Sequence, residues 1–124
     1  VKAMLKKQID VTQARVLVLG LAFKENCPDV RNTRVVDVVR GLQEYGIDVN
    51  VHDPWVNGQD ARAAHDLEVI ETPRRGHYDG VLLAVNHITF IEKGAAALRA
   101  FGRSEHVFFD LKSSFGAEDS DLRL

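Results

Sequence analysis

The chain has 124 residues, 45% of them hydrophobic and 27% charged, with a formal net charge of −2. That profile suits one compact domain with its own core and excludes disorder, and the near-balanced charge gives no general pull toward nucleic acid or an anionic membrane. No apolar run reaches membrane-spanning length and no charged-then-apolar signal segment opens the chain; the one cysteine, Cys27, cannot close an internal disulfide, so a reducing compartment, the cytoplasm, is expected.

Residues 1–8 read as the end of a helix, with Val1, Met4, Leu5 and Gln8 sharing a face and Lys2, Lys6 and Lys7 turned away. A chain that opens mid-helix is expected of an inter-domain helix, and residues 1–13 are read as its end plus a linker. Residues 14–20, an apolar run closed by Gly20, read as a strand buried on both faces. A polar loop spans 21–33. Val35, Val38, Val39 and Leu42 then keep helical spacing over 34–45, with Asn32 or Thr33 as cap, Asp37 in the first turns and Gly46 as the stop.

The second strand is expected over 47–52, followed by a cap or tight turn at Asp53 and Pro54. A short helix is predicted around 60–65 and a short strand over 67–70. Tyr78 and Asp79 introduce a buried strand over 80–85. A helix over 88–101 turns Ile91, Ala95, Leu98 and Phe101 inward, and a last strand over 106–109 ends at Asp110. Residues 114–124 read as a polar, mobile tail. Strands alternating with helices predict a single α/β domain, doubly wound and Rossmann-like, with a mostly parallel sheet. Ligands of such sheets bind at the carboxyl ends of the strands, here the loops after Gly20, His52, Val85 and Phe109.

Most of the chemical information lies in the first of these loops. Gly-x-Gly-x-x-Gly is absent, so it is not a dinucleotide fingerprint, and it is not a Walker loop. It offers length and charge at a strand-to-helix junction: Lys24 presents a point charge, Arg31 a two-pronged guanidinium, and the helix start a positive end. The same residues are also compatible with solvated loop charges that have Asp29 as partner.

The run Gly20-Leu21-Ala22-Phe23-Lys24, four residues, then Asp29-Val30-Arg31-Asn32-Thr33 resembles the signature opening the C-terminal domain of the UDP-glucose/GDP-mannose dehydrogenase family. The Val51-His52-Asp53-Pro54 strand end and the stretch from Tyr78 to His87 follow in the family's order, so the resemblance spans about residues 15–112. The wording from Phe23 to Asn32 is most similar to the branch acting on UDP-N-acetylglucosamine or UDP-N-acetylgalactosamine. The resemblance implies that residues 14–113 are the UDP-sugar-binding domain of an NAD-dependent 6-dehydrogenase, which takes a C6 alcohol to a carboxylate and yields a UDP-uronic acid for polysaccharide synthesis. Phe23 and Lys24 match the pair that contacts the nucleotide sugar. Lys112, shortly after Asp110, matches a further basic substrate-binding residue. Arg31 matches an arginine reaching NAD, a cofactor bound mainly by the N-terminal domain, and Asp29 an acid that orients it. The family's catalytic cysteine belongs to a glycine-rich stretch this sequence does not contain, so no catalytic residue is assigned and the isolated chain is expected to be inactive. The implied partners are a UDP-sugar, the N-terminal and central domains of the same enzyme, and further copies in a homo-oligomer, with neither nucleic acid nor membrane.

The remaining polar residues carry weaker signals. Cys27 reads as structural, since no histidine lies near it in sequence. Asp53 stands where a Rossmann strand places its ribose-binding acid, but without the glycine fingerprint a turn or cap role is favoured. His52, His65, His77, His87 and His106 show no metal-ligand spacing. His87 lies at the ligand-bearing edge and reads as a capping or packing residue. Trp55 reads as a loop aromatic that packs on a partner domain or covers its own loop. Arg74-Arg75 is too short for a nucleic-acid patch. A stand-alone nucleotide-binding or regulatory module and a structural dimerisation domain remain the competing readings.

Overall fold

β1 (Arg15–Leu19) sorts its side chains by the period of two that a strand imposes: Val16 and Val18 enter one apolar cluster, Leu17 and Leu19 the other. A strand buried on both faces needs cover on both, and the computed structural model supplies it. The model describes residues 2–7 and 9–123; Val1 and Gln8, placed above on the first helix face, lie outside the described residues.

In chain order the elements are α1 (Lys2–Lys6), β1, α2 (Val35–Glu44), β2 (Asp48–His52), α3 (Gly58–His65), β3 (Tyr78–Leu83), α4 (Ile88–Lys93), α5 (Ala95–Arg99), β4 (Gly102–Asp110) and β5 (Leu122–Arg123). The strands form one parallel sheet in the order β2-β1-β3-β4-β5. From β1 the chain winds to β2 on one side, then returns past β1 to β3 on the other. Val35 and Val39 of α2 join the cluster under Val16 and Val18, whereas Phe90 of α4 and Leu98 of α5 pack with Leu17 and Leu19 on the opposite face. The expected doubly wound parallel domain is what forms, and its switch point falls between β1 and β3. Among the described residues no helix is long and apolar enough to cross a membrane.

Several elements depart from expectation. In α1, Met4 is buried but Leu5 is 59% exposed, so the two do not share an inward face. Val38 of α2 is partly exposed, while Val35 and Val39 are buried. The strand expected over 67–70 is a single bridge, Val51 to Val69, because the chain must turn back there to cross β1 and reach β3. The helix expected over 88–101 is broken at Gly94, whose φ of 83° and ψ of 159° no helical residue adopts. The break turns Phe90 into the core along with Leu98, leaving Ile91, Ala95 and Phe101 half-buried. β4 begins at Gly102 rather than at 106, across a bulge in which Tyr78 pairs with Gly102 and Gly80 with Val107. Arg103, within the bulge, bonds the buried Asp79 at 2.9 Å.

The tail is built into the sheet. Asp110, fully buried, accepts from the amides of Ser114 and Phe115, and the Phe115 ring lies 6.4 Å from that of Phe108. A 3-10 helix at Ala117–Asp119 leads to β5, which pairs with Phe109 and Asp110. Asp121 accepts from the Phe108 amide at 2.7 Å and from Lys7 and Arg99 at 3.1 Å each. Residues 114–123 thus pack against the domain and supply a two-residue fifth strand where a mobile tail is expected.

Candidate functional site

The loop from Gly20 to Arg34 leaves the sheet at the switch point. Gly20 has φ 101°, and a Cβ there would sit 2.6 Å from the Cβ of Val85, so the segments leaving β1 and β3 approach as closely as glycine permits. Asp53, buried at the end of β2, gathers the loop's first amides. Its Oδ2 accepts from Leu21 at 2.7 Å and Ala22 at 3.0 Å, and its Oδ1 from Trp55 at 2.8 Å. This is the turn-and-cap role preferred over ribose binding, extended to a second loop. Burial alone would push the Asp53 carboxyl up, but the hydrogen bonds from His87 and from the Leu21, Ala22 and Trp55 amides together hold it below its ordinary value.

His87 is fully buried at the start of α4. Its Nε2 lies 2.9 Å from Asp53 Oδ2, and its Nδ1 lies 2.8 Å from the Asn26 backbone nitrogen. A backbone N–H can only donate, so Nδ1 accepts and the neutral ring carries its proton on Nε2, facing Asp53. Trp55, 37% exposed, stacks on the imidazole at 5.7 Å and 22°. It thus packs on the loop before α4, neither its own loop nor another domain. Asn26 sits in the left-handed region at φ 57°, which asparagine tolerates better than most residues, and its Oδ1 accepts from the Ile88 amide at 2.7 Å.

Beside this loop a cavity of about 160 Å³ opens at the carboxyl ends of β1, β3 and β4. Ala84 and Val85 form part of its wall, and Phe23, Lys24, Arg34 and Lys112 line it. The structure therefore brings together three of the residues singled out by sequence, Phe23, Lys24 and Lys112, from loops about ninety residues apart. Phe23 is 54% exposed, a large aromatic with an open face. Among the described residues Lys24, Arg34 and Lys112 take part in no ion pair. Arg34 is the residue that sequence reasoning missed. It stands at the N-cap of α2 without a side-chain capping bond, where Thr33 Oγ1 instead accepts from the Val35 amide. A cation there opposes the helix dipole, at a cost of roughly 0.3–1 kcal/mol, and an anion in the cavity would reverse that sign. The signal was present as a third cation within the loop's reach, but a residue at a predicted helix start reads as part of the helix.

Arg31 lies elsewhere. It faces an open depression of about 620 Å³ between the loop and α3, shared with Cys27, Asp29 and Asp60. Its Nε and Nη2 donate to the two oxygens of Asp29 at 3.1 Å each, and the Arg31 amide donates to the same carboxylate at 2.9 Å. The Arg31 hydrogen bonds hold the Asp29 carboxyl below its ordinary value. Arg31 is nonetheless 82% exposed, so its remaining donors point to solvent. Cys27 is half-buried in this depression and does not line the cavity. A larger cavity of about 270 Å³, bounded by Met4, Leu42, Leu82 and Phe109, is apolar and offers no group to an anion.

Residues 17–117 match the UDP binding domain of the UDP-glucose/GDP-mannose dehydrogenase family. Over all 124 residues the chain is 54% identical to a UDP-N-acetyl-D-glucosamine 6-dehydrogenase of Pseudomonas aeruginosa and 44% identical to one of Salmonella typhi. It spans 29% of the length of each. Among solved structures, a UDP-D-ManNAc dehydrogenase from Pyrococcus horikoshii superposes with a TM-score of 0.77 at 19% identity, over 98% of this chain and 28% of that one. A UDP-glucose dehydrogenase from Pyrobaculum islandicum gives 0.65 at 31% identity, over 90% of this chain and 24% of that one.

Proposed function

The chain belongs to the UDP-glucose/GDP-mannose dehydrogenase family, as its UDP binding domain, and from that premise we propose that it seats the diphosphate of a UDP-N-acetylhexosamine while other domains of the same enzyme oxidise C6. The observation that carries the proposal is a cavity lined by three cations, Lys24, Arg34 and Lys112, that have no carboxylate partner among the described residues. Unpaired cations converging on a concave, partly apolar wall are what a diphosphate needs, and the open face of Phe23 offers stacking area to the rest of the nucleotide. The volume is below the roughly 300 Å³ at which whole-ligand pockets begin, which suits a half-site completed by another domain. The acetamido-sugar branch rests on the Pseudomonas and Salmonella relatives, both UDP-N-acetyl-D-glucosamine 6-dehydrogenases by name.

NAD fits the chain poorly as a principal ligand. No glycine fingerprint opens the sheet, and Arg31 offers only the donors that Asp29 leaves free. The proposal therefore gives Arg31 one contact to a cofactor held elsewhere in a homo-oligomeric cytoplasmic enzyme, with Asp29 fixing its direction. Among the described residues no cysteine lines the cavity, and the chain should not reduce NAD when mixed with a UDP-sugar.

Amide NMR titration with UDP, GDP and NAD separately tests the reading. Saturable shifts with UDP at Phe23, Lys24 and Lys112 are expected. Lys24→Ala or Arg34→Ala should weaken binding about tenfold each, the loss of one charge-assisted hydrogen bond. Response to GDP alone would move the chain to the mannose branch. Unchanged affinity in both variants, with altered self-association, would replace nucleotide binding with an interface role.

A further inference from the structure

Among the described residues, the tip of the site loop, Phe23 to Glu25, makes one backbone hydrogen bond of its own, from the Phe23 amide to the Asp29 carbonyl at 2.7 Å. What fixes the tip lies at its two ends. Asp53 Oδ2 holds the amides of Leu21 and Ala22, and His87 Nδ1 holds the amide of Asn26. The two anchors are themselves joined, His87 Nε2 to Asp53 Oδ2 at 2.9 Å. The imidazole cannot swing away, being fully buried between Trp55 at 5.7 Å and Phe90 at 5.8 Å. The bonding is also reciprocal, since Asn26 Oδ1 accepts from Ile88, the residue after His87.

We propose that His87 is a positioning residue for nucleotide binding: through Nδ1 it sets the turn at Asn26, and so fixes where Phe23 and Lys24 stand at the cavity. The proposal rests on the reading of that cavity as the diphosphate seat. His87 does not line the cavity; it acts through the loop. Its two nitrogens have separate duties. Nε2–H meets the carboxylate that holds the loop's beginning, and the lone pair on Nδ1 meets the amide at its end.

Two amide substitutions separate these duties. An asparagine oxygen stands near the place of Nδ1 and can still accept from Asn26, whereas a glutamine nitrogen stands near Nε2 and can still donate to Asp53 but leaves the Asn26 amide without an acceptor. UDP affinity and amide spectra would be measured for the 124-residue chain, for His87→Asn and for His87→Gln. His87→Gln should weaken UDP about tenfold or more and move the Lys24 and Asn26 amide resonances, while His87→Asn should stay within about threefold of the parent with the Lys24 resonance restored. Equal losses in the two variants would assign the effect to lost ring packing and overturn the proposal, as would equal retention. If the parent itself gives no response to UDP, the diphosphate reading fails, and the loop resonances of the three proteins still decide whether His87 sets the turn. The parent's imidazole nitrogen shifts supply a check that needs no variant to fold: a proton on Nδ1 rather than Nε2 overturns the proposal.

Discussion

At the scale of single residues, Asp53 serves four donors with two oxygens while lying almost out of reach of water. Asp53→Ala would leave the Leu21 and Ala22 amides without partners, and buried orphans cost about 1–3 kcal/mol each. A loss of roughly 3 kcal/mol or more in urea unfolding is expected, and a loss under about 1 kcal/mol would mean that water replaces the carboxylate. Asp53 and Asp121 both have folded values held below the ordinary 3.8, each because hydrogen bonds outweigh the upward push of burial. A depressed carboxylate contributes stability that is complete above its unfolded value and disappears as pH falls through the folded one. Acid unfolding should therefore set in below about pH 4, and Asp53→Asn should flatten that limb of the stability curve. Lys24 was legible from its charge on the loop after β1, whereas Phe23 and Lys112 were singled out only through the family resemblance. The Asp53–His87 pair was not, because its members are 34 positions apart and each has a plausible local role as cap or packing residue.

Among the elements, two glycines divide backbone strain from steric contact. Gly94 separates α4 from α5 at φ 83° with nothing within 4 Å of a hypothetical Cβ, whereas Gly20 has φ 101° with Val85 in the way at 2.6 Å. Gly94→Ala should cost about 1–2 kcal/mol from conformation alone, and Gly20→Ala more, by the added displacement of Val85. Thermal unfolding of the two variants gives the order directly; a reversed order would show that the contact of Gly20 with Val85 is soft. Sequence periodicity placed β1, α2 and the buried run of β3 well, since each is long enough for its period to show. It could not see the break at Gly94, because a lone glycine is tolerated in many helices. Nor could it see that residues 67–70, apolar enough for a strand, are spent on a return across the sheet.

For the whole molecule, parallel winding followed from the alternation of strands with helices. The fifth strand did not, because Leu122 and Arg123 form a pair too short to carry any period. Its place is fixed instead by side chains: Asp121 ties β4, α5 and Lys7 together, and Phe115 covers Phe108. Deleting residues 114–124 should destabilise the chain by about 2–4 kcal/mol, the burial of one aromatic side chain plus the hydrogen bonds of Asp121, and lower its melting temperature. An unchanged melting temperature would show that the segment rides on the sheet without supporting it.

The three cations at one rim, unpaired among the described residues, have a consequence for how an anion arrives. The chain as a whole is slightly negative, yet Lys24, Arg34 and Lys112 set up a local positive field at the mouth of a concave wall. Such a field reaches about 10 Å at 0.1 M salt and shrinks as ions are added. Ionic strength should therefore act chiefly on the association rate of a nucleotide diphosphate, slowing capture while leaving the dwell time of the bound anion little changed.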